Sequence, residues 1–251
     1  MSARAREVIE AAATISGYRT YIDLIRPLLG GKNIMATGMR KEVDRVRQAI
    51  DAACRGESCA LICSGDPGIY AMAGLVFEVC RANAIPVGDG DHDLYIEVVP
   101  GIPALCAGAA LLGAPLMHDF AAISLSDLLT PWPAIEKRIQ LAAEADFVIA
   151  LYNPRSRQRN WHLDRAKQLL LARRSPETPV GLVTAAMRSE TSVALCRLES
   201  LDCSLAGMQT TVFIGNSQTF IYGDRMVTPR GYKDKYELGQ GNGGSNANQE
   251  R

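Results

Sequence analysis

Apolar runs of strand length alternate with segments of helical period along most of this chain, and three of those runs end in a tight turn rich in glycine or proline. "CALIC" runs into "SGDPG", "LYIEVV" into "PGIP", and "DFVIALY" into "NPRS". Strands that alternate with helices imply a parallel sheet covered on both faces. Ligands of such sheets bind beyond the carboxyl ends of the strands, which is where these turns fall.

The remaining pattern fills in around them. Ser2 is placed to cap a helix through "ARAREVIEAAA", and "TISGY" reads as a short strand after it. "RKEVDRVRQAIDAAC" puts Val43, Val46 and Ile50 on one helical face. "IYAMAGLVFEVCRAN", "ALCAGAALLG", "AIEKRIQLAAEA" and "WHLDRAKQLLLARR" read as further helices. "TPVGLVT", "TTVFIG" and "TSVALCRLESL" read as strands. "GAPLMHDFAAISLSDLLTPWP" breaks the rhythm and marks a junction. The expected organisation is an N-terminal α/β domain over 1–115 and a C-terminal α/β domain over 116–232. A disordered tail over 233–251 follows, ending in "GQGNGGSNANQER".

Composition narrows the function. Lysine plus arginine balance aspartate plus glutamate at 27 each, without the basic excess of a non-specific nucleic-acid binder. The longest apolar stretch, Ala104 to Leu116, is too short to span a membrane. "MSARAREVIEAAA" carries charges where a signal peptide needs an apolar centre, so the expected address is the cytoplasm. Cys54, Cys59, Cys63, Cys80, Cys106, Cys196 and Cys203 form no C-x-x-C pair and read as free thiols of a reducing compartment. His92, His118 and His162 share no ligand spacing, which points to structural roles and no metal.

Asp66 is the informative residue of the first turn. A carboxylate repels phosphate, and neither G-K-[ST] nor G-x-G-x-x-G is present. Two readings stand: Asp66 caps the following helix with Pro67 at its first position, or it faces a ligand with hydroxyls or a positive centre. "NPRSRQRN" places Arg155, Arg157 and Arg159 in one loop, with Arg188 in "AAMRSE". Arginine forks bind carboxylates bidentately, though a solvated loop surface would look the same in sequence.

Taken together, "SGDPGIYAMAG", "VVPGIPALCAGAALLGAPL", "LYNPRSRQRNWHLDRA", "VTAAMRSE" and "MQTTVFIGNSQT" followed by "MVTPRGY" resemble the tetrapyrrole methylases, in the order seen in that family. The resemblance implies two α/β domains with S-adenosylmethionine folded into the cleft between them. It implies methyl transfer to C17 of precorrin-3B with contraction of the macrocycle, in corrin biosynthesis, by a homodimer. By position, Ser64, Gly65, Asp66 and Ile69 would form one wall of the cofactor site, and Pro103 and Ala104 a second. Asn153, Ala186, Thr210 and Thr211 would close it. Arg155, Arg157 and Arg188 would meet the substrate's acetate and propionate groups, while no residue is assigned as acid or base. Other readings are a different tetrapyrrole methylase, the diphthine or ribosomal-RNA branches, and a non-catalytic binding protein. Two departures from the family stand out. Pro103 occupies a position where a serine or threonine is common, and Met1 stands close to the first helix. A first strand and a G-x-G-P-G turn are therefore missing, and the expected true start lies upstream.

Overall fold

The computed structural model describes residues 1–156 and 158–238. Two units emerge, one spanning Met1–Cys106 and one from Ala107 onward.

The first unit runs α1 (Ala3–Ala11), β1 (Thr14–Tyr18), α2 (Arg19–Leu24), β2 (Asn33–Thr37), α3 (Glu42–Cys54), β3 (Cys59–Ile62) and α4 (Ala73–Ala82). Ser2 does cap α1, its Oγ accepting the Ala5 N–H at 3.2 Å. The three strands form a parallel sheet in the order β2-β1-β3. Alternate residues of β3 face opposite sides. Ala60 and Ile62 pack with Ile9, Ile15, Ile22 and Leu29, whereas Leu61 meets Val46, Ile50 and Val79. The expected parallel sheet with two covered faces is therefore present here.

Two details differ. Val43 is exposed, and the buried face of α3 comprises Arg45, Val46, Ala49, Ile50 and Ala52. "LYIEVV" is not a strand, since it makes one isolated bridge, Leu94 to Val87. Leu94 and Ile96 still pack inward while Glu97 pairs with Arg4 of α1 at 2.7 Å. A period-two pattern requires only an extended chain with one buried side, and it does not by itself create ladder partners.

Helix α5 (Ala104–Leu112) carries the chain into the second unit. There follow β4 (Gly113–Ala114), β5 (Phe120–Ser124), α6 (Trp132–Glu144), β6 (Val148–Tyr152), α7 (His162–Leu171), β7 (Pro179–Thr184), β8 (Ser192–Arg197), β9 (Thr210–Ile214), β10 (Phe220–Tyr222) and β11 (Arg225–Val227). The main sheet has the order β5-β6-β9-β7-β8. Only β5–β6 is parallel, and β9 and β8 run antiparallel to their neighbours. The parallel sheet inferred from the alternation of the N-terminal part therefore does not extend to this unit. Strands β6, β7 and β9 are buried almost throughout. Their continuous apolar runs report burial on both faces and carry no information on direction. β5 also lies inside the segment read as a break in the rhythm. Three shorter strands form a second sheet, β10-β11-β4.

The core of this unit gathers Ile135 and Ile139 of α6, Leu163, Ala166 and Leu170 of α7, and the strand residues Leu151, Val180 and Val212. Arg174, 8% exposed, lies just beyond α7. Its guanidinium donates to the carbonyls of Ala142 (3.3 Å), Phe147 and Gly215, joining the end of α6, the entry to β6 and the exit of β9. Burial pushes its pKa down, with Asp146 opposing the shift. Arg174→Met keeps the apolar bulk and removes every donor. It is expected to lower the unfolding free energy by about 3 kcal/mol, read by urea titration. A loss below about 0.5 kcal/mol, the usual effect of a surface change, would contradict this clamp. Among the described residues, no helix is long and apolar enough to cross a membrane.

Candidate functional site

In the first unit the turn after β3 is built around Asp66. Its Oδ1 accepts the Gly68 N–H at 2.8 Å and its Oδ2 accepts the Gly101 N–H at 2.9 Å. One carboxylate thus closes its own turn and ties it to the "PGIP" turn. Gly65 takes φ +80°, and a Cβ on Gly101 would lie 1.9 Å from the Gly65 carbonyl oxygen. The two turns can touch only because Gly101 has no side chain. Helix α4 begins later, at Ala73, with no side-chain cap at Met72. Asp66 therefore does not cap α4, and the turn intervening between them is why.

This contact brings together most of the residues expected on this wall. An added Cβ on Gly65 would approach the Pro103 Cα at 3.6 Å and the Ala104 N at 3.9 Å. Ser64 is half-buried and adjacent, and Ile69 is exposed at the tip of the turn. Burial pushes the neighbouring Cys63 thiol up, which disfavours a thiolate there. Neither turn carries a basic side chain. The surface they offer is backbone amide, small side chains and exposed Ile69 and Ile102. Such a surface fits a nucleoside with ribose hydroxyls and a thioether or sulfonium, and not a polyphosphate.

Sequence reasoning passed over Arg45. It is 3% exposed and gathers the carboxyl ends of this sheet. Nε donates to Thr37 Oγ1 at 2.6 Å, Nη2 to the Gly38 carbonyl at 3.0 Å and Nη1 to Met72 Sδ at 3.2 Å. The guanidinium also lies 5.8 Å from the Tyr18 ring centre. The signal was helical spacing, since Arg45 shares the Val46, Ala49 and Ile50 face.

In the second unit the antiparallel β9 decides what meets what. Because β9 runs against β6 and β7, its first residues lie level with their last ones: Thr210 pairs with Thr184, and Val212 with Leu151. Asn153, Ala186, Thr210 and Thr211 therefore gather at one edge of the sheet. The Thr184 and Thr210 hydroxyls are 2.8 Å apart, and Asn153 Nδ2 donates to Ser124 Oγ at 3.0 Å. Thr210 and Thr211 are buried, while Asn153 and Ala186 are half-buried.

Backbone strain marks the same ends. Among the described residues seven non-glycine residues have positive φ. Ala84 and Asp146 follow helices, where a left-handed residue is a common terminator. Arg40, Tyr70, Asn153, Ala185 and Met187 all lie beyond carboxyl ends of strands. Strained residues at about 1–3 kcal/mol each persist where the surroundings hold them, typically at ligand sites.

Of the three arginines expected to meet substrate, Arg157 lies outside the described residues. Arg155 Nη1 reaches the Cys203 carbonyl at 3.5 Å and Asp164 at 3.7 Å, both long contacts. Arg155, Ser156, Asn160, Ala206, Gly207 and Met208 line a cavity of about 430 Å³. Arg188 is half-buried at the β7–β8 turn, its N–H 3.0 Å from Thr191 Oγ1. The structure does not bring Arg188 into that cavity lining.

Two α/β units with turns of this kind describe a class, and residues 1–202 match the model for "Tetrapyrrole (Corrin/Porphyrin) Methylases". The chain belongs to that family, as the sequence resemblance indicated. It is 48% identical to a probable cobalt-factor III C(17)-methyltransferase of Salmonella typhimurium, covering 92% of this chain and 93% of that one. It is 40% identical to a precorrin-3B C(17)-methyltransferase of Sinorhizobium sp, covering 92% and 91%. A cobalt-factor III methyltransferase of Priestia megaterium is 50% identical over 94% of this chain, which spans only 43% of that longer relative. The crystal structure of the methyltransferase CobJ superposes with a TM-score of 0.85 at 35% identity, over 91% of this chain and 93% of that one.

Asp66→Ala removes the acceptor for both amides. Hydrogen bonds to a charged acceptor contribute about 1.5–3 kcal/mol. Exchange of the Gly68 and Gly101 amides should therefore accelerate at least about tenfold, measured by NMR. Unchanged protection at Gly101 would show that the carboxylate does not hold the turns together.

Proposed function

We propose that this chain is an S-adenosylmethionine-dependent C-methyltransferase that methylates C17 of a precorrin-type tetrapyrrole, with contraction of the macrocycle, in cobalamin biosynthesis. The observation that carries the reading is identity of 40–48% over more than nine-tenths of both chains to proteins named for this C(17) methylation. Relatives at 50% and 48% identity are named for cobalt-factor III, against 40% for the one named for precorrin-3B. That favours the cobalt-bearing macrocycle over metal-free precorrin-3B as substrate. We further place the protein in the cytoplasm, as a homodimer.

When bound, S-adenosylmethionine supplies an electrophilic methyl on a sulfonium. The chain's own residues bind and orient. Backbone groups of Ser64, Gly65, Pro103 and Ala104 would contact the nucleoside and its amino-acid tail, with Asp66 fixing the turn and Ile69 giving apolar cover. Asn153, Ala186, Thr210 and Thr211 would supply the remaining contacts. Arg155, Arg157 and Arg188 would each pair with a peripheral carboxylate of the substrate.

Calorimetry with S-adenosylhomocysteine should give saturable one-to-one binding per chain, and the absence of binding would contradict the reading. Arg155→Ala and Arg188→Ala should each weaken tetrapyrrole binding about tenfold, the effect of losing a charge-assisted contact. S-adenosylhomocysteine affinity should be unchanged in both. Unaltered tetrapyrrole affinity in Arg188→Ala would remove that residue from the substrate set.

A further inference from the structure

Asp127 lies in the turn after β5, at the sheet edge that carries Ser124 and Asn153. Its Oδ2 is 3.0 Å from Nε2 of His162. His162, the first residue of α7, is 2% exposed. Its ring stacks on Trp161 at 4.1 Å and meets Trp132 edge-on at 4.8 Å. Nδ1 has no hydrogen-bond partner among the described residues, and Nε2 meets Asp127 at contact distance without the alignment of a straight hydrogen bond. Packing between two indoles could be served by an apolar ring. What an apolar ring cannot supply is a nitrogen directed at a carboxylate.

A proton carried on Nε2 would be directed at Asp127. The His162 imidazole holds the Asp127 carboxyl below the usual carboxylate range, and Arg159 from the preceding loop acts in the same direction. Asp127 itself stays one-third exposed. The result is a carboxylate fixed on one side by a buried ring and open on the other, at the ligand edge of the sheet.

We propose that Asp127 accepts the proton that the substrate loses after C-methylation, and that His162 is the positioning residue that holds this carboxylate. The inference rests on the methyl-transfer reading above. Addition of an electrophilic methyl to a neutral ring carbon draws a π electron pair into the new C–C bond. The macrocycle is left with one positive charge. Neutrality returns when an N–H or C–H bond of the macrocycle breaks, its electron pair staying in the conjugated system. The proton passes to the Asp127 carboxylate and from the resulting carboxylic acid to water. A base of low proton affinity suffices, since the proton of a cationic conjugated imine is itself acidic.

The test compares Asp127→Asn, Asp127→Glu and His162→Gln with the wild type. Asp127→Asn should lower kcat about 100-fold, the usual scale for losing a general base, with S-adenosylhomocysteine affinity unchanged. Asp127→Glu should recover part of that loss. In His162→Gln the carboxyl loses its imidazole, so the acid limb of the kcat–pH profile should move to higher pH. A merely structural histidine would not produce that shift. Independently of turnover, 15N NMR should show the His162 proton on Nε2, with its resonance displaced in Asp127→Asn. Folded Asp127→Asn with wild-type kcat, or the proton on Nδ1, would overturn this assignment alone. A wild type that binds S-adenosylhomocysteine but methylates neither tetrapyrrole would overturn the proposed function and this assignment with it.

Discussion

A single carboxylate, Asp66, accepts amide protons from two turns that are 35 residues apart in sequence. Either hydrogen bond alone would leave one turn to find its own position. Together they fix the end of β3 against the entry to α5, and bare Gly101 permits the approach. Much of the first unit's ligand-end surface depends on that contact, because Gly65, Pro103 and Ala104 meet only where the turns meet. Arg45 does comparable work from below, drawing Thr37, Gly38 and Met72 together with a cation that bonds to no carboxylate among the described residues. Arg45 is tolerated at this depth because each of its guanidinium nitrogens has a partner.

The second unit reaches the same end by a different route. No single side chain gathers Asn153, Ala186, Thr210 and Thr211; the strand directions do. Inserting β9 antiparallel between β6 and β7 brings the start of one strand beside the ends of two others. Left-handed Asn153, Ala185 and Met187 sit there, a concentration of strain beside central strands that are buried almost throughout.

The sequence made some of this legible and concealed the rest for physical reasons. Turn residues announced where the chain leaves β3 and β6, because glycine and proline report backbone geometry locally. The Ser2 cap was visible because a capping side chain bonds to its own helix. Strand direction in the second unit was invisible, since an apolar run buried on both faces looks alike either way round. "LYIEVV" has the pattern of a strand without a pairing edge. Asp66 was ambiguous because its second partner, Gly101, is distant in sequence. Asp127 and Arg45 were missed for a related reason: a single charged residue with no partner near it in sequence looks solvated until tertiary structure places His162 beside one and Met72 beside the other. The family resemblance, which draws on the whole pattern at once, was the most informative reading.

Placement of the methyl group on C17 of a corrin precursor can be read directly from the product. Incubation with S-adenosylmethionine labelled with 13C in the methyl group, and either cobalt-factor III or precorrin-3B, gives a product whose labelled carbon can be located by NMR. One labelled methyl is expected, on C17 of a contracted macrocycle. A label on any other carbon, or an unlabelled macrocycle, would contradict it.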